Sequence, residues 1–426
     1  MARQIGAGRR LAVAASVAAV LVWSLGIAAQ EGGWRANPQT VREHTQRQPA
    51  FNYDEESVPP YVLPDVLKGS DGIVRTVDEW RARRTEILDL FRENVYGRSP
   101  GRPEGLRFAV LEEDANVMDG AATLKRVAVL GTQDGREHRF ELTIFLPNAR
   151  PEPVGVFLLL NNRPATNTDP TRRERSGFWP AEQVIARGYG IAALQVGDLA
   201  PDDPRRFRDG AIWLFEGVLA EARSPAAWGA LAAWAWGASR AMDYFETDPG
   251  VDAGRVAVVG HSRGGKAALW AGAEDERFAL VVSNDSGEGG AALTRRNFGE
   301  TLSRITEAFP HWFAGNYKSF AGRASTLPVD QHMLLALVAP RGLYVASADE
   351  DLWADPRGEF LSLAHTSPVY ALWGEPSISP DEMPSLDRPL VVGRRGYHVR
   401  TGTHNLTPFD WERVVDFGDA NWQRAQ

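Results

Sequence analysis

The chain has 426 residues, 43% of them apolar, which is enough for one large α/β domain with insertions. A net charge of −8, a pI near 5.6 and the lack of any long basic run argue against nucleic acid as a partner. With no cysteine there can be no disulfide, no thiolate catalysis and no Cys-type zinc site.

Arg3, Arg9 and Arg10 precede an apolar run that ends in small residues near Ala28 and Ala29. That is the layout of a signal peptide over 1–29, so the mature protein is expected outside the cytoplasm, in the periplasm or secreted. The alternative is a retained anchor, for which the run is marginal in length. No other stretch is long and apolar enough to cross a bilayer, so no membrane contact is expected once the signal is removed. Residues 30–60 are polar, with little periodicity, and read as a flexible leader. One catalytic domain is expected over 61–426.

Within it, 77–91 carries Trp80, Ile87, Leu88, Leu90 and Phe91 at helical spacing, with Asp78 and Glu79 near the start. Tyr96, Gly97 and Pro100 stop that helix. Residues 106–111, 123–129 and 139–145 alternate apolar and polar, as antiparallel strands do. The run 154–161 is continuously apolar and fits a buried central strand. A short helix is expected over 179–187 and a strand over 190–196. Residues 198–207 are polar and Pro-rich, a surface loop. The long apolar helix 227–245 should bury Trp228, Trp234 and Trp236.

Residues 256–259 are a short apolar run, read as a strand, and 266–273 read as a helix. Between them lies Gly260-His261-Ser262-Arg263-Gly264. Strand, tight turn and helix turn a Gly-x-Ser-x-Gly match into a nucleophile elbow. Such a turn holds the serine in strained backbone and aims the N–H of the next residue at a forming oxyanion. Further strands are expected at 278–283, 342–347 and 390–397, and helices at 330–338, 358–364 and 411–422. An insertion around 291–328 carries Arg295, Arg296, Glu300, His311 and Trp312. Strands alternating with helices imply a mostly parallel sheet with helices on both faces, and antiparallel strands at its N-terminal side. The chemistry-bearing residues follow the C-terminal ends of strands, where open α/β sheets place their sites.

A serine hydroxyl needs a base, and the base needs an acid to orient it. In the order Ser, acid, His, the natural base is His404, in a Gly-flanked loop after the last strand. His398 sits at the strand end and reads as structural, while His311 and His332 break the order. Two acids compete. Asp351 follows the penultimate strand and is favoured; Asp285 follows the strand after the elbow. Arg263 could hydrogen-bond the oxyanion, and Lys266 lies one helical turn on. Two cations beside the serine suit an anionic or strongly polar acyl group. The alternative is a pair of exposed helix residues.

Gly260-His261-Ser262-Arg263-Gly264-Gly265-Lys266 resembles the elbow of the glucuronoyl esterases, carbohydrate esterase family 15. The loop Asn284-Asp285-Ser286-Gly287-Glu288-Gly289-Gly290, the segment Phe309-Pro310-His311-Trp312-Phe313, and the stretches 328–332, 346–356 and 402–411 look like further family segments. His261, where fungal members carry cysteine, matches the bacterial type. The resemblance implies an α/β-hydrolase fold, no cofactor, no metal and a serine carboxylic-ester hydrolase. The implied substrate is the ester between 4-O-methyl-glucuronic acid of glucuronoxylan and lignin alcohols. By motif position, Ser262 is the nucleophile, His404 the base and Arg263 the oxyanion stabiliser; Lys266, Glu300 and Trp353 contact the sugar. Fungal members carry a glutamate as acid at the place of Asp285, and many bacterial ones use that of Asp351. The alternatives are an acetyl-xylan or related deacetylase, and a non-catalytic secreted carbohydrate-binding protein. A monomer is expected.

Overall fold

The computed structural model describes residues 33–217 and 223–422. The expected signal peptide over 1–29 lies outside the described residues. No helix among them is long and apolar enough to cross a membrane.

A two-residue ladder, β1 (Lys68–Gly69) with β2 (Gly72–Ile73), comes first. The three alternating runs then form β3 (Gly105–Val117), β4 (Ala122–Gln133) and β5 (Arg136–Pro147), each antiparallel to the next. The apolar runs form β6 (Val154–Asn161), β7 (Gly190–Gln195), β8 (Val251–His261), β9 (Leu280–Asn284) and β10 (Gly342–Ala348). Near the C-terminus come β11 (Leu390–Val392) and β12 (Arg395–Arg400). Apart from the first two, all join one sheet in the order β11-β12-β10-β9-β8-β6-β7-β5-β4-β3. The six strands from β12 to β7 run parallel. Helices cover both faces, which makes this an α/β-hydrolase sheet with an antiparallel extension.

The central strands are buried on both faces, and side-chain alternation splits each between two cores. In β6, Val156, Leu158 and Leu160 join one core, while Phe157 and Leu159 join the other. In β8, Val256 and Val258 face the first, and Ala257 and Val259 the second. Fully burying a side chain of this size contributes about 1.5–3 kcal/mol. The helix Ala230–Phe245 packs Trp234 and Trp236 into the first core, and Trp228, just before the helix, joins them there. The helix Val77–Asn94 opens with a capping box between Thr76 and Glu79.

Three expectations need correction. The segment read as a flexible leader carries the helix Pro38–Arg47, capped by the Asn37 side chain, and buries Trp34 and Tyr53. That helix buries none of its own residues, so it leaves no apolar period to read. The run 390–397 is not one strand but the β11–β12 hairpin, turned at Gly393 with φ of +60°. The elbow helix starts at Arg263, three residues earlier than its apolar run implies.

Candidate active site

Gly260 and Ser262 shape the turn after β8. A Cβ on Gly260 would stand 2.0 Å from the Gly264 carbonyl oxygen, so only glycine lets the helix come this close to the strand. Ser262 has φ 57° and ψ −130°, a backbone that costs about 1–3 kcal/mol for a residue with a side chain. Its N–H donates to the Asn284 carbonyl at the end of β9 (2.8 Å). The helix Arg263–Glu274 begins at once, so the Arg263 N–H belongs to the first turn, where donors lack intrahelical acceptors.

Ser262, Asp285, Asp351 and His404 follow the C-terminal ends of β8, β9, β10 and β12. His404 Nε2 lies 2.9 Å from Ser262 Oγ, and His404 Nδ1 lies 2.6 Å from Asp351 Oδ2. Hydroxyl, imidazole and carboxylate thus form one relay. Asp351 is 7% exposed, whereas the His404 side chain is 39% exposed and open to a substrate. Arg400, which ends β12, fixes the loop around the imidazole by donating to the carbonyls of Thr401, Thr403 and Asn405. Its Nε donates to Asp410 at 2.9 Å.

Asp285 makes no hydrogen bond to His404. It is buried, with φ 46°, and among the described residues neither carboxylate oxygen has a hydrogen-bond partner. Its nearest cation is Arg400, with Nη2 at 3.6 Å. Burial pushes its carboxyl well above the usual range, and the charges of Asp351, Glu359 and Asp410 push it further. Aspartate is one methylene shorter than glutamate, which limits its reach from this position. Asp285, Asp351 and His404 offer ligand atoms within 4.8 Å of one another. His404 Nδ1 is already held by Asp351, so those two form a hydrogen-bonded couple, while Arg400 stands against Asp285.

His261 sits below, its ring 4.4 Å from that of His404. Its Nδ1 pairs with Asn284 Oδ1 (2.6 Å) and its Nε2 with Arg163 (3.1 Å). Burial, and after it the charge of His404, holds His261 well below the ordinary histidine range, so it stays neutral. His398 is structural, as expected: fully buried, it bridges Tyr344 and Asp410.

The two cations are held by different partners. Arg263 donates from Nη2 to the Asn162 carbonyl after β6 (3.2 Å) and pairs through Nε with Asp202 (2.6 Å). Lys266 is 4% exposed and not an exposed helix residue. Its Nζ donates to the carbonyls of Ser286 and Glu288, which leaves one of three donors. Burial lowers its pKa, against the charges of Glu300 and Glu288. Burial likewise raises Glu300, opposed by Lys266 and Arg304. Glu300 also hydrogen-bonds the Trp353 side chain and, through its N–H, the Trp353 carbonyl. Phe51 meets the Trp353 ring edge-on at 4.9 Å.

Sequence reading missed Asp202, Arg400 and the Phe51–Tyr53 pair. Asp202 lay in a stretch read as a surface loop, and Phe51 and Tyr53 in the one read as leader. Arg400 closes an apolar strand, a place where a buried arginine is a signal worth pursuing.

Residues 191–374 match a family model described as glucuronyl esterase, fungi. Carbohydrate esterase MZ0003, from an unknown prokaryotic organism, is 40% identical over 400 residues, or 87% of this chain and 91% of that one. A promiscuous CE15 esterase from a marine bacterial metagenome superposes with a TM-score of 0.79 at 38% identity, covering 87% of this chain and 100% of that one. The chain belongs to carbohydrate esterase family 15. Another solved structure, a glucuronoyl esterase from Solibacter usitatus, reaches a TM-score of 0.80 at 43% identity, with 87% of this chain and 100% of that one covered. As a family-15 member the protein is a carboxylic-ester hydrolase with the α/β-hydrolase fold.

Proposed function

We propose that this family-15 enzyme hydrolyses the ester joining 4-O-methyl-glucuronic acid of glucuronoxylan to lignin alcohols. The observation that carries the reading is the Ser262–His404–Asp351 relay, at 2.9 and 2.6 Å, beside the cationic and polar groups of Arg263, Lys266 and Glu300. Ser262 Oγ attacks the uronate carbonyl as His404 Nε2 takes its proton. Asp351 holds the imidazole in the correct tautomer and stabilises the imidazolium. Arg263, with its own backbone N–H, stabilises the oxyanion. The alcohol leaves with the proton from His404. Water, deprotonated by the same imidazole, then frees the uronic acid.

Lys266 and Glu300 are suited to sugar hydroxyls: one supplies a spare donor, the other a half-buried acceptor. Trp353 supplies a flat face. An acetyl group would need none of them, so this wall favours a uronate over an acetylated xylan. Asp285, whose carboxyl is pushed well above the usual range by burial and which makes no hydrogen bond to the imidazole, is not the orienting acid in this reading. The signal-peptide layout of 1–29 accords with a polymer met outside the cytoplasm.

The test compares benzyl glucuronate with acetylated xylan. Uronic acid release that exceeds acetate release, and that disappears in Ser262→Ala, is the expected result. Faster acetate release would overturn the substrate reading. Undiminished turnover in Ser262→Ala would overturn the mechanism.

A further inference from the structure

Asp202 lies in the loop after the helix Val196–Leu199, a stretch whose sequence promises only solvent. Its carboxylate nevertheless has three partners. Oδ2 stands 2.6 Å from Arg263 Nε. Oδ1 accepts from His311 Nε2 at 2.9 Å and from Trp312 Nε1 at 2.6 Å. Both donors come from the insertion and are 5% exposed, so they form a rigid seat. Burial alone would push the Asp202 carboxyl up, yet the His311 and Trp312 donors and the Arg263 charge hold it below the usual carboxylate range.

A guanidinium is flat, so one hydrogen bond and one close counter-charge on the same edge restrict where it sits. Here Nη2 donates to the Asn162 carbonyl, and Asp202 stands against Nε as a close counter-charge rather than through an aligned hydrogen bond. Among the described residues Nη1 has no partner. A second cation, Arg163, lies close enough that Arg263, after burial, lowers its pKa. Asp202 supplies the anion that offsets this like-charge repulsion.

We propose that Asp202 is a positioning residue for ester hydrolysis: seated by His311 and Trp312, it holds the Arg263 guanidinium beside Ser262 with Nη1 turned to the acyl oxygen. The proposal rests on the reading of Arg263 as oxyanion stabiliser. Asp202 itself touches no reacting atom. Its effect must therefore pass through Arg263 and show in kcat, because the oxyanion exists only after attack.

Wild type, Arg263→Ala, Asp202→Asn and the double variant are compared on benzyl glucuronate, with kcat normalised to the folded fraction from circular dichroism. Asp202→Asn is expected to lower kcat about 10- to 100-fold with KM changed less than about twofold, the scale of a misplaced catalytic group. In the Arg263→Ala background the same change should alter kcat by less than about twofold. Wild-type kcat in Asp202→Asn, or an equal loss in both backgrounds, overturns the proposal. In either case a slow Arg263→Ala keeps the oxyanion reading intact, whereas Arg263→Ala at the wild-type rate removes that reading too. If Asp202→Asn does not fold, Trp312→Phe decides, since it deletes one donor to the carboxylate. Its kcat should fall several-fold, and a loss that persists without Arg263 overturns the proposal.

Discussion

His404 works between one charge and one absence of charge. Asp351 faces its Nδ1 at 2.6 Å, and neutral His261 lies against its ring. When the imidazole takes a proton, the carboxylate stabilises it and the second histidine does not oppose it. Asp285, whose carboxylate oxygens have no hydrogen-bond partner among the described residues, adds little to either effect. Asp351→Ala is therefore expected to lower kcat on benzyl glucuronate by about 10³–10⁴, the scale of losing an orienting acid. Asp285→Ala should lose less than about tenfold, since no hydrogen bond to the imidazole goes with it. The reverse ranking would move the acid to Asp285.

At the scale of elements, residues 48–57 act as a strap across two site loops. Asn52 accepts from the Gly299 N–H, Glu55 pairs with Arg296, and Phe51 abuts Trp353. Arg296 also binds Asp355, so one guanidinium ties the strap to the loop that carries Asp351 and Trp353. Phe51→Ala frees the Trp353 ring without touching the relay. It should raise KM for benzyl glucuronate several-fold and leave kcat within about twofold, as expected when uniform substrate binding is lost. An unchanged KM would remove the strap from substrate binding. The elbow at 256–274 is legible in the sequence because strand, glycine turn and helix are contiguous and each obeys a local rule. The strap is not, because it has no apolar period and its anchors are a single aromatic, one carbonyl and one carboxylate. Asp202 is illegible for a different reason: its partners come from 263 and 311–312, and only the path of the loop brings them together. The acid pair lay between. Both positions follow strands, and side-chain reach, which no pattern encodes, separates them.

Across the whole molecule, buried ionisable groups tie stability to pH. Burial pushes the Glu288 carboxyl up to about 8, although Tyr317 and Thr294 donate to it. In the unfolded chain that proton leaves near the ordinary glutamate value. Between the two values the folded state holds the extra proton, so stability is greatest below the unfolded value and is lost as pH rises toward about 8. His138 and His332, both lowered to about 4 by burial, act oppositely, but only below about pH 6.5. The melting temperature should therefore fall from about pH 6.5 to about pH 8, and Glu288→Gln, which cannot ionise, should flatten that slope. An identical slope in the variant would refute the assignment. The position of β8 has a broader consequence. On its β9 side the chain supplies proton handling, through Asp351 and His404; on its β6 side it supplies charge handling, through Asn162 and Asp202. Ser262 stands on the seam between two independently encoded half-sites. Loops on the β6 flank could diverge to suit a differently charged acyl group while the machinery that activates the nucleophile stays untouched, so new specificities have a route that does not pass through loss of catalysis.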